Sequence, residues 1–155
     1  MIRKEAAVAL AAMLFAVTAL PALAQSADEA RALAERAAEH IRLFGPQQAF
    51  VDFSRPDGGF VNGSLYVFCH DAAGTVLANG GNPRLVGRTL GTMRDVEGRR
   101  TVAEMSRIGE VKGEGWLEYL WPNPREGRIQ RKRSWVFQIN AGAVCGSGYY
   151  EPDRP

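Results

Sequence analysis

Up to about residue 53 apolar residues recur at every third or fourth position. Beyond Gly63 they recur largely at every second, so the pattern predicts helices first and mostly strands afterwards. Over 26–44 the apolar stripe is Ala30, Leu33, Ala34, Ala37, Ala38, Ile41 and Phe44. Ser26 followed by Glu29 reads as a capping box, and Gly45 as the end of the helix. Pro46 then opens a short second helix that carries Ala49, Phe50 and Phe53 inward, and SRPDGG ends it.

Two strands, over 65–70 and 75–78, flank a turn at DAAG, where Gly74 can supply the positive φ of a tight hairpin. NPRLVGRTLGTM reads as a short helical or irregular connection. An amphipathic helix over 99–111 places Val102, Met105, Ile108 and Val111 on one face. Three strands follow over 115–121, 127–139 and 142–150, rich in aromatic and β-branched residues and separated by PNP and NAG. The order predicts an α+β domain with one five-stranded antiparallel sheet. The long helix should cover one face, the inserted helices the other, and a pocket should lie between those helices and the sheet.

The first 24 residues have a different character. Arg3 and Lys4 precede an uncharged, mostly apolar run over 6–20, and Pro21 introduces Ala22-Leu23-Ala24, the pattern of a secretory signal peptide cleaved after Ala24. Removing them takes 19 basic and 17 acidic residues to 17 and 16 over 25–155, a length that suits one domain. So balanced a charge argues against nucleic acid as a partner, because that affinity needs concentrated basic charge. The expectation is an exported, soluble, periplasmic product.

The densest chemistry lies in GEGWLEYLWPNPREGRIQRKRSWVF. Strand alternation puts Leu117, Tyr119 and Trp121 on one face and Trp116, Glu118 and Leu120 on the other. On the next strand Lys132, Ser134 and Val136 oppose Arg131, Arg133 and Trp135. We assign Tyr119, Trp121, Lys132 and Ser134 to the pocket, with Tyr66 and Met105 completing it. An ammonium and hydroxyls against aromatic walls suit a small carboxylate, whose charge must be met by donors once water is excluded. Arg125, Arg128, Arg131 and Arg133 are assigned to a solvated edge.

Catalytic and metal readings find little support. His40 and His70 stand on different elements and in no ligand spacing, so no metal or other cofactor is expected. Ser147 lacks the GxSxG context of a nucleophile, and Asp71 and Asp95 read as turn and cap residues. No enzymatic activity is expected.

The chain resembles the single Cache domain, the extracytoplasmic sensor module of bacterial chemoreceptors and histidine kinases. The residues that carry the likeness are GPQQAFVDF, RPDGGFVNGSLYVFCHDAAGTVLANGGNPRLVGRTL, GEGWLEYLWPNPREGRIQRKRSWV and GSGYY. The resemblance implies a PAS-like sheet with a small-ligand pocket, and ligands such as small organic acids or amino acids. Lys132 and Tyr119 match the family's lysine and tyrosine, whereas Trp135 stands where tyrosine is more usual. Asn79-Gly80-Gly81 replaces a common histidine and proline. Such a sheet would make the strands of Cys69 and Cys145 neighbours, which admits either a disulfide or two buried thiols. A stand-alone sensor of this kind would act through a membrane receptor, kinase or transporter. The alternative is a module without a ligand, whose hairpin and first helix form a homodimer or another protein interface.

Overall fold

The computed structural model describes residues 25–140 and 142–152. The leader expected over 1–24 lies outside them. Helix α1 (Ala27–Phe44) starts at the anticipated capping box: Ser26 Oγ accepts from the Glu29 amide at 3.2 Å, and the Ser26 amide donates to Glu29 Oε2 at 2.8 Å. Helix α2 (Pro46–Ser54) follows directly. After it come β1 (Val61–Asn62), β2 (Leu65–His70), β3 (Val76–Asn79), a 3-10 turn Pro83–Leu85, α3 (Thr101–Lys112), β4 (Glu114–Asn123), β5 (Arg128–Asn140) and β6 (Ala143–Tyr150).

All strand pairings are antiparallel, in the order β1-β2-β6-β5-β4, with β3 pairing β2. The five expected strands are thus present, and the two-residue β1 is added to them. The insertion holds the 3-10 turn and α3, so the connection expected to be short helical or irregular is a single 3-10 turn followed by irregular chain, whose Gly- and Arg-rich stretch offers no apolar period to bury.

Helix α1 lies on one face of the sheet. Ala30, Ala34 and Ala37 are buried there with Leu33, over Val67, Cys69, Phe137 and Cys145. Small residues let the helix sit close, and Ala38 and Phe44 of the expected stripe fall outside the contact and are exposed. Helix α3 covers the other face with Val102 and Met105 buried. Val111, which we placed on that face, is 70% exposed. Gly109 takes the close position instead, since a Cβ there would stand 2.4 Å from Val144.

Cys69 and Cys145 are direct register partners on β2 and β6, and their sulfurs are bonded. Gly148 of β6 is a second point of close approach, on the face covered by α3. A Cβ at this position would meet Ser134 Oγ at 2.0 Å and the Arg133 carbonyl oxygen at 2.6 Å. The carbonyl cannot yield without bending the ladder. Gly148→Ala should therefore cost about 1–3 kcal/mol by overpacking, read as a lower urea midpoint at unchanged slope. An unchanged midpoint would show that the strand has slack there.

Candidate functional site

The register of β4, β5 and β6 builds the centre of the site. Tyr119, Lys132 and Tyr150 are consecutive partners across the three strands and project to the α3 side. Tyr66 of β2 faces Gly148, where Ser134 Oγ fills the space that a Cβ would take, and the Tyr66 ring lies against Gly81, at which a Cβ would stand 2.4 Å from it. Lys132 Nζ stands 3.7 Å from the centre of the Tyr66 ring, 5.0 Å from that of Tyr150 and 5.3 Å from that of Phe68.

Lys132 is completely buried, and no hydrogen-bond acceptor among the described residues reaches its Nζ. Ring faces contribute about 0.5–2 kcal/mol to an ammonium, less than the several kcal/mol that its desolvation costs. Burial consequently pushes the amine well below the ordinary lysine range. The site thus holds a buried amine that no acceptor among the described residues meets.

The surrounding hydroxyls bond to one another. Tyr119 Oη and Ser134 Oγ are 3.0 Å apart, Tyr66 Oη and Tyr150 Oη are 3.2 Å apart, and Tyr150 donates to the Pro122 carbonyl at 2.7 Å. Burial raises Tyr66 to about 12 and pushes Tyr119 and Tyr150 up as well, so all three remain neutral donors.

Two cavities meet here. The inner one, of about 30 Å³, is bounded by Lys132, Tyr66, Phe68, His70, Met105, Tyr119 and Trp121. The outer one, of about 530 Å³, opens beyond Tyr66, Asn79, Leu90 and Trp121 and is roofed by Leu85, Met93, Asp95 and Val96. The segment over 80–100 is pinned at its middle and at its end. Val76 N donates to the Arg88 carbonyl and Gly87 N to that of Val76, while Arg99 Nη1 donates to the Glu118 carbonyl at 2.6 Å and Nη2 pairs with Glu104. Asp71 and Asp95 act in their turns. Asp71 Oδ1 accepts from Ala73 N and Thr75 N, and Asp95 Oδ1 from Glu97 N and Arg99 N.

Of the residues assigned to the pocket from alternation, Lys132, Tyr119, Trp121, Tyr66 and Met105 line the inner cavity together. Ser134 shares their face but lies beneath Tyr119, to which it is bonded, and does not line the space. Arg131 and Arg133 need a correction. Their strand is interior to the sheet, and both turn to the α1 face, half-buried, where Arg131 pairs with Glu118 at 2.7 Å and Arg133 lies over Trp116. The Trp116 ring takes up the Arg133 guanidinium and the Glu118 carboxylate that of Arg131, both of which we had assigned to a solvated edge.

Sequence reasoning missed His70 and Tyr150, whereas Asn79, noted as a departure from the family's pattern, lines both cavities. Alternation along LYVFCH would have found His70, since it shares a face with Tyr66 and Phe68.

The family model for single Cache domain 2 matches residues 2–153. The methyl-accepting chemotaxis protein McpP of Pseudomonas putida is 27% identical over 89 residues, which are 57% of this chain and 16% of that protein. A solved periplasmic sensor domain of a chemotaxis protein is 28% identical, with 81% of this chain and 90% of that one covered and a TM-score of 0.62. A Cache chemosensory domain studied for its carboxylic acid recognition superposes at a TM-score of 0.67 with 23% identity, over 81% of this chain and 92% of that one. A methyl-accepting chemotaxis protein from Vibrio parahaemolyticus superposes at 0.69 with 20% identity, over 79% and 86%.

Proposed function

The chain belongs to the single Cache domain 2 family, and on that premise we propose that it is a periplasmic sensor module that captures a small carboxylate at Lys132. One observation carries the reading: a lysine amine, fully buried, aromatic-walled and without an acceptor among the described residues, at the edge of a cavity. A carboxylate supplies both the missing acceptor and the missing charge. The carboxylic acid recognition described for the similar Cache domain supports the same chemistry. The leader over 1–24 exports the protein, and the ligand-bound state is read by a membrane receptor, kinase or transporter. No helix among the described residues is long and apolar enough to cross a membrane.

A thermal-shift series tests this reading. Short monocarboxylates at a hundredfold excess over Kd should add about 2.7 kcal/mol to stability, while amines and sugars add nothing. If no acid moves the melting temperature at any concentration up to tens of millimolar, the carboxylate reading is wrong and the ligand-free interface module takes its place.

A further inference from the structure

We propose that His70 is the second polar contact of this cavity and that it makes the site selective for 2-hydroxy acids over their unsubstituted counterparts. The inference rests on the carboxylate reading and names its ligand more narrowly. His70 ends β2 on the same face as Tyr66 and Phe68, lines the inner cavity with Lys132, and is 3% exposed. Its Nδ1 lies 3.2 Å from the Asp71 carbonyl oxygen, an atom that can only accept, so Nδ1 carries the proton. Nε2 is then a bare lone pair. It is buried and has no partner among the described residues. Burial also favours the neutral ring by pushing His70 below the ordinary histidine range.

The cavity thus offers a donor without an acceptor, Lys132 Nζ, and an acceptor without a donor, His70 Nε2. Both residues line the inner cavity, which at about 30 Å³ admits about two to three water-sized groups by itself and continues past Tyr66, Asn79, Leu90 and Trp121 into the outer one of about 530 Å³, where the rest of a short ligand can lie. A carboxylate at Nζ with a neighbouring hydroxyl donating to Nε2 satisfies both. A keto oxygen would face the lone pair with its own. The ammonium of an amino acid would bring a second cation beside Lys132, in a cavity with no Asp or Glu in its walls. Sites built to bond a ligand hydroxyl discriminate strongly against analogues that lack it, because the buried partner is left unpaired.

Calorimetric titration of the wild-type protein with glycolate, acetate and fluoroacetate decides the matter, since fluorine nearly matches hydroxyl in size but donates nothing. Glycolate should bind at least tenfold more tightly than either analogue, and lactate than pyruvate. In His70→Phe the glycolate-to-acetate ratio should collapse toward one, whatever the absolute affinities. Should that variant fail to fold, nitrogen NMR of the two histidines in the wild type serves instead: the His70 Nε2 resonance should move with glycolate and not with fluoroacetate. If the acids bind but glycolate has no advantage, His70 has no such role and the carboxylate reading survives. If none of the three binds, both readings fall together.

Discussion

Replacing Lys132 by methionine should raise the melting temperature of the ligand-free protein while abolishing its response to acids. The side chain is fully buried with no acceptor at Nζ, so the fold carries an uncompensated polar group. Methionine keeps the length and removes that group, which should stabilise by about 1–3 kcal/mol, or roughly 3–9 °C for a chain of this size. Stability gained at the expense of function is the mark of a binding group held at a cost. Lower stability in Lys132→Met, or an undiminished acid response, would relocate the anchor.

The pH dependence sharpens the same prediction. The native amine is held below its unfolded value of 10.5 by burial. Between the two values the unfolded chain binds a proton at Lys132 that the native state lacks. In that window the wild type therefore gains about 1.4 kcal/mol per pH unit, relative to Lys132→Met, as pH rises. Acid affinity should run the other way. Above the native value a bound carboxylate must bring the proton with it, and the association constant should fall about tenfold per pH unit. Denaturation and calorimetry at matched pH values would show the two opposite trends; parallel trends would exclude this linkage.

Removing the disulfide is the second large effect. Cys69 and Cys145 are 76 residues apart in sequence, so the bond constrains a long loop of the unfolded chain, worth about 4.5 kcal/mol in the chain-entropy account. It ties β2, which carries Tyr66 and His70, to β6, which carries Tyr150, and thereby closes the floor of the site. Cys69→Ala with Cys145→Ala should lower the unfolding free energy by about that amount in urea. Reductant added to the folded wild type should act slowly, because both residues are buried. A loss below about 1 kcal/mol would mean that β2 and β6 are held by their ladder alone.

Much of the architecture was legible in the pattern of residues. The capping box at Ser26, the strand Leu65–His70 and the hairpin of β4 and β5 follow from local chemistry, because caps, turns and alternation act over a few residues. The same alternation separated Tyr119, Trp121 and Lys132 from Arg131, Arg133 and Trp135. It misjudged Arg131 and Arg133 because whether a strand is an edge depends on which strands pair with it. The strand pairing also placed Ser134 under Tyr119.

By itself the sequence determined the elements, the face that each strand residue takes and the presence of a lysine among aromatics. Only the tertiary structure decided that Lys132 lies between Tyr119 and Tyr150, that Cys69 meets Cys145, and that His70 lines the same cavity as Lys132. The physical reason is register. Side-chain direction repeats every two residues and is written locally, whereas the alignment of β2 on β6 is set by contacts between residues some 74–82 apart, and that of β5 on β6, though they adjoin in sequence, passes through a register shift between Gln138 and Asn140.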